Sequence, residues 1–165
     1  MRLFVAVYPG DRARLDLEDR LAAIRHTPAD RWHLTLAFLG EVADDRQPDI
    51  ERALDGVAGP GPFSLRLAGA GRFGAGRSSA TWAGVTGDLG ALALLRAEVA
   101  AALAITDDRP FTAHLTVAYA GGSALERALA GYSGPSWTVS DFALVRSHYR
   151  EGGGYAKLRC WPLHG

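Results

Sequence analysis

Apolar and polar residues alternate over residues 3–8 until Pro9-Gly10 ends the run, the signature of a β-strand with one buried face. The period then lengthens. Leu15, Leu21 and Ile24 recur at helical spacing behind Asp11, a residue suited to capping, which predicts a helix over residues 11–25. Alternation returns over residues 32–39 and stops at Gly40. Residues 44–57 read as a second helix, broken by Gly59-Pro60-Gly61-Pro62, and residues 63–68 as a third strand. The same order then recurs. Residues 81–86 form a strand, Asp88 caps an Ala/Leu-rich helix to residue 104, residues 111–119 form a strand, and residues 123–130 a shorter helix. After a loop at residues 131–135, residues 137–149 read as one long strand, turned back by Gly152-Gly153-Gly154 into a hairpin with residues 155–161.

Strand, helix, strand, helix, strand thus occurs twice, which predicts one two-lobed domain over residues 1–165 with repeat halves of approximately 1–75 and 76–165. A duplicated unit of this kind packs about a pseudo-twofold axis. The third element of each half carries one phrase, His33-Leu34-Thr35-Leu36-Ala37-Phe38 and His114-Leu115-Thr116-Val117-Ala118-Tyr119. Side chains two apart on a strand share a face. Each copy therefore presents a histidine and a threonine on one side and sends its leucine into a core. The twofold arrangement turns the two polar faces toward each other across a groove.

An imidazole with a pKa of about 6.5 gives or takes a proton near neutrality. Two of them on opposite sides of one phosphate can deprotonate an attacking water or hydroxyl and protonate the departing oxygen. A threonine hydroxyl about 6.6 Å along the same face can donate to a non-bridging phosphate oxygen as charge builds on it. Such a scheme needs no metal, and the sequence carries neither H-E-x-x-H nor clustered Cys/His ligands.

Composition narrows the picture. Eighteen basic and eighteen acidic residues cancel, which excludes a protein that coats nucleic acid through bulk charge, so any RNA contact is local. All basic residues but Lys157 are arginine, which suits phosphate, although biased codon usage explains the skew equally well. No apolar run approaches a membrane span, and residues 3–7 are too short for a signal-peptide core, so a cytoplasmic protein is expected. The single Cys160 fits a reducing compartment, and the apolar run at residues 158–163 predicts a thiol packed in the core. Gly69-Ala70-Gly71-Arg72-Phe73-Gly74 satisfies the glycine pattern of dinucleotide sites. That pattern needs a helix next, whereas residues 78–86 read as a strand, so a turn bearing Arg72 and Arg77 is expected instead. His26, His148 and His164 belong to no matching triplet and are expected on the surface.

The two His-x-Thr phrases, with Met1-Arg2-Leu3-Phe4-Val5-Ala6, Thr81-Trp82-Ala83-Gly84-Val85, Asp108-Arg109-Pro110-Phe111 and Leu158-Arg159-Cys160-Trp161-Pro162-Leu163, resemble the 2H phosphoesterases over the whole chain. Among these they look most like the LigT-like RNA 2',3'-cyclic phosphodiesterases, historically called 2'-5' RNA ligases. The resemblance implies a two-lobed α+β fold with antiparallel sheets lining a central cleft and helices outside. It implies opening of a terminal 2',3'-cyclic phosphate on RNA to a 2'-phosphate, without metal or nucleotide cofactor, with 2'-5' joining as the same chemistry reversed. His33 would be the proton donor to the leaving 3'-oxygen, His114 the acceptor that activates water, and Thr35 and Thr116 the phosphate-binding pair. Partners would be RNA ends or small cyclic nucleotides, taken by a monomer. The second phrase departs from the family, with Ala113 before its histidine and Tyr119 five residues after it, where relatives usually carry Pro and Arg. Arg72, Arg109 or Arg150 could replace that arginine, while Phe4, Trp82 and Tyr119 could line the groove or stack on a base. Two alternatives share the groove: a binding module without turnover, and an enzyme for a small cyclic nucleotide.

Overall fold

The computed structural model describes residues 1–148 and 153–164. Among these residues the elements run β1 (Arg2–Val7), α1 (Asp11–Arg20), β2 (Leu34–Glu41), α2 (Gln47–Asp55), β3 (Phe63–Phe73) and β4 (Ala80–Gly87). They continue with α3 (Leu89–Ala102), β5 (His114–Tyr119), α4 (Ser123–Leu129), β6 (Ser133–Val139), β7 (Asp141–Ser147) and β8 (Tyr155–Pro162). The class is α+β, and the strands join one antiparallel sheet in the order β6-β3-β4-β5-β2-β1-β7-β8. Where two sheets were expected, two four-stranded sets meet at a narrow seam: β2 and β5 pair through a single bridge, Leu34 to Leu115.

A polar clamp reinforces that seam. The Thr27 amide and hydroxyl both donate to the Val117 carbonyl, at 2.7 and 3.1 Å, and the Trp32 indole donates to the Thr27 hydroxyl at 3.0 Å. The segment entering β2 is thereby tied to β5, compensating for the missing ladder.

The strand order does not divide at residue 75. β3, from the first repeat, lies between β6 and β4, whereas β7 and β8, from the second, extend the sheet beyond β1. Residues 137–149 were expected as one strand, but the chain breaks at Ser140: β6 pairs with β3, and β7 pairs with β1 and β8. The sequence does mark the break: two successive polar residues, Ser140-Asp141, interrupt the alternation, and the buried positions shift from Trp137 and Val139 to Phe142 and Leu144. β6 also begins at Ser133, inside the expected loop, while Tyr149 and Gly152 lie outside the described residues.

The glycine stretch is not a turn, because β3 runs through it to Phe73. Gly71 pairs with Trp82, and a Cβ at residue 71 would lie 2.2 Å from the indole ring. The missing side chain lets the indole lie over the β3 backbone.

One face of the sheet is covered by helices. Ala13, Leu17 and Leu21 from the first helical segment, Ile50 and Leu54 of α2, Leu92, Leu95 and Val99 of α3, and Leu125 and Leu129 of α4 share one core. The strands meet them with Leu3, Val5, Val7, Leu34, Leu36, Leu65, Leu67, Leu115 and Val117. Each such aliphatic side chain, fully buried, contributes about 1.5–3 kcal/mol. On the opposite face, Phe4, Ala6, Ala143 and Val145 form a smaller cluster with Tyr8 and Tyr155 packed against it.

Several local expectations are corrected. Leu15 is 56% exposed, because α1 buries Ala13 and Leu17, four apart, and a residue two from each points away. α1 ends at Arg20, and Asp11 is its first residue, behind Gly10 at the cap. Asp88 does occupy the cap position of α3, but its carboxylate accepts from the Ser64 amide at 2.9 Å instead of from the helix. Cys160 is exposed, since on β8 the neighbouring Trp161 turns into the core and period two sends Cys160 to the other face.

Candidate active site

β2 and β5 are neighbours, and period two does the rest. Leu34, Leu36, Leu115 and Val117 are buried beneath the helices. His33, Thr35, His114 and Thr116 are half-buried on the other face and line one cavity of about 440 Å³. Arg2, Phe4, Phe38, Tyr119, Ser147 and Tyr155 complete its wall.

Each imidazole is held by the carbonyl two residues before it. His33 Nδ1 lies 2.8 Å from the Arg31 oxygen, and His114 Nδ1 lies 2.7 Å from the Thr112 oxygen. A carbonyl only accepts, so Nδ1 carries hydrogen in both rings and Nε2 is left as the proton-exchanging atom. His33 Nε2 is 3.0 Å from the Thr35 hydroxyl, which donates to the neutral ring and accepts from the protonated one.

Aromatic walls hold both rings. Phe4 stacks on His33 with centroids 4.7 Å apart, and Tyr155 meets it edge-on at 5.2 Å. On the other side Phe73 meets His114 edge-on at 4.9 Å, and Trp82 lies 5.7 Å away. Burial lowers the pKa of His33 from its ordinary value; the Arg31 carbonyl works against this, and the charge of His114 adds to it. Burial also pushes the Tyr8 phenol up to about 12 and raises that of Tyr155, so both hydroxyls stay protonated.

The remaining sequence candidates divide. Phe4 and Tyr119 reach the cavity, the latter 65% exposed at its rim, and Trp82 backs His114. Arg72 turns away, donating to Glu126 at 2.7 Å and to the Gly121 carbonyl at 2.8 Å, which pins the turn after β5. Arg109 grips both oxygens of Asp107 at 3.0 Å and lines a second, larger cavity. Arg150 lies outside the described residues. His26 is not simply a surface residue, being half-buried against Trp32 with centroids 5.3 Å apart.

Sequence reasoning missed Arg2, Phe38, Ser147 and Tyr155. Arg2 was within reach of it, lying two residues before Phe4 and so on the same face of β1. Its guanidinium sits 4.8 Å over the Phe38 ring, at the cavity wall. Ser147 and Tyr155 enter only through strand pairing, since Ser147 faces Arg2 in register and Tyr155 faces Ser147.

The chain is thus an α+β protein with two imidazoles and two threonine hydroxyls gathered in one cavity on the open face of its antiparallel sheet. Residues 10–151 match the 2'-5' RNA ligase superfamily, and the chain belongs to that family. Relatives include the RNA 2',3'-cyclic phosphodiesterase of Escherichia coli K12, 31% identical over 84% of this chain and 80% of its own length. The protein of the same name from Thermus thermophilus is 32% identical, covering 100% of this chain and 91% of that one. A solved structure of Escherichia coli LigT complexed with 3'-AMP aligns with a TM-score of 0.79 at 28% identity, over 99% of this chain and 98% of that one. Among the described residues no helix is long and apolar enough to cross a membrane.

Proposed function

We propose that the protein hydrolyses the 2',3'-cyclic phosphate at the end of an RNA to a 2'-phosphate, using His33 and His114 as the acid and base. The observation that carries this is the single cavity onto which both His-x-Thr pairs converge. His114 Nε2 takes a proton from water as the water oxygen attacks phosphorus. The bond from phosphorus to the 3'-oxygen breaks, and His33 Nε2 delivers the proton that this oxygen requires. Thr35, Thr116 and Arg2 face the phosphate and hold the charge that builds on its non-bridging oxygens. With an RNA 5'-hydroxyl in place of water, the same displacement joins two ends through a 2'-5' bond, and its reverse cleaves one.

The lowered pKa of His33 fits a donor that is loaded by its substrate. In the empty cavity burial favours the neutral ring, whereas a phosphodiester anion beside it supplies the opposite charge that favours the imidazolium. The relatives named as RNA 2',3'-cyclic phosphodiesterases support the same reading.

The test is release of 2'-phosphate from an oligoribonucleotide ending in 2',3'-cyclic phosphate, with and without EDTA. Turnover that survives EDTA and is lost in His33→Ala and in His114→Ala is expected. An inactive wild type, or full activity in both variants, defeats the proposal.

A further inference from the structure

The cavity holding the two histidines opens beside a second one of about 1140 Å³, and Thr35, Phe38 and His114 line both. The larger cavity lies between β2, the C-terminal part of α3 and the segment leading into β5. Its charged lining residues are Arg96, Arg109 and Asp107, two guanidinium groups to one carboxylate. Phe38 and Phe73 remain 51% and 42% exposed at its wall, and Arg96 stands 4.7 Å over the Phe111 ring. Aromatic rings and arginines in one cavity, next to a second cavity lined by two imidazoles and two hydroxyls, are the components of a single-stranded nucleic-acid groove.

Substrate chemistry fixes how such a groove would be filled. A terminal ribose whose 2'- and 3'-oxygens close the cyclic phosphate continues into the strand through its 5'-oxygen alone. With the cyclic phosphate between His33 and His114, the rest of the strand must leave through an opening of that pocket. Resting on the phosphodiesterase reading above, we propose that the larger cavity binds the nucleotides preceding the cyclic phosphate. Phe38 and Phe73 stack on their bases, and Arg96 and Arg109 contact their phosphates. Asp107 holds Arg109 in a fixed orientation through its two-pronged contact. Oligonucleotides are accordingly better substrates than mononucleotides.

The experiment compares an oligoribonucleotide ending in 2',3'-cyclic phosphate with adenosine 2',3'-cyclic phosphate, in the wild type and in the double variant Arg96→Gln, Arg109→Gln. The wild type is expected to favour the oligonucleotide in kcat/KM. The double variant raises the oligonucleotide KM about fivefold at low salt and leaves mononucleotide kinetics within about twofold. The slope of log KM against log salt for the oligonucleotide falls by about 1.4, the value for two lost contacts to a single strand. Equal kcat/KM for the two substrates in the wild type, or an equal loss on both in the variant, overturns the groove and leaves the phosphodiesterase reading standing. If neither substrate turns over, that reading fails, and fluorescence anisotropy with the same oligonucleotide decides the groove. Salt-dependent binding weakened in the variant upholds it, and unchanged or absent binding overturns it. Should the double variant melt without cooperativity, Arg109→Gln replaces it, because that side chain is 87% exposed and its loss leaves the core untouched.

Discussion

The two His-x-Thr copies share local geometry and differ in surroundings. In both, Nδ1 points at the carbonyl two residues back, leaving Nε2 for the cavity. His33, however, is stacked on Phe4, flanked by Tyr155 and bonded to Thr35, and its pKa is lowered by that burial. His114 stands against Phe73 and Trp82 and also borders the larger cavity. A repeated sequence therefore does not dictate a repeated role. The acid and base proposed above differ in what the neighbouring strands bring to each ring.

The largest effects come from removing either ring. His33→Ala and His114→Ala each lower kcat by about 10²–10⁴-fold, and the double variant loses far less than the product, since the two act as one unit. Single-turnover rates check this, and multiplicative losses would mean that the rings work independently. Next come the hydroxyls. Thr35→Val and Thr116→Val each cost about 10–100-fold in kcat, less than the most damaging loss of an oxyanion donor. Only Thr35→Val also displaces the ionisation of His33, because only Thr35 is bonded to its Nε2. A pH profile of both variants separates the two threonines.

Gly71→Ala attacks the His114 side alone. Its Cβ would meet the Trp82 ring at 2.2 Å, forcing the indole off its seat, with about 1–3 kcal/mol lost in a urea melt. A smaller effect reads the His33 side. The alkaline limb of kcat/KM, which reports the free enzyme, lies below the ordinary imidazole value of 6.5, and Phe4→Ala moves it upward by relieving burial. The smallest is thermodynamic. Between 6.5 and the lower folded value the unfolded chain binds more protons at this site, so stability declines as pH falls through that window. His33→Gln flattens this decline, as denaturant melts across the window measure.

Much of this was legible from residue order because the relevant rules are local. Period two places histidine and threonine together on a strand wherever the strand lies, so the four central side chains could be named without coordinates. What escaped depends on partners far along the chain. Nothing near Arg72 announces Glu126, 54 residues on, which takes its guanidinium away from the cavity. Nothing near Ser147 or Tyr155 announces that β7 pairs with β1 and so brings both to the wall. The break at Ser140 was readable, since Ser140-Asp141 interrupts the alternation there, whereas Gly71 shows its purpose only when Trp82 is seen lying across it.

The placement of β3 among strands of the C-terminal half, and of β7 and β8 beside those of the N-terminal half, interlocks the two ends of the chain. Neither half, severed from the other, owns a complete set of neighbours: the N-terminal piece would carry an orphaned β3, and the C-terminal piece an unsupported hairpin. Cutting the chain between the halves would strip each imidazole of one wall, Tyr155 from His33 and Phe73 from His114.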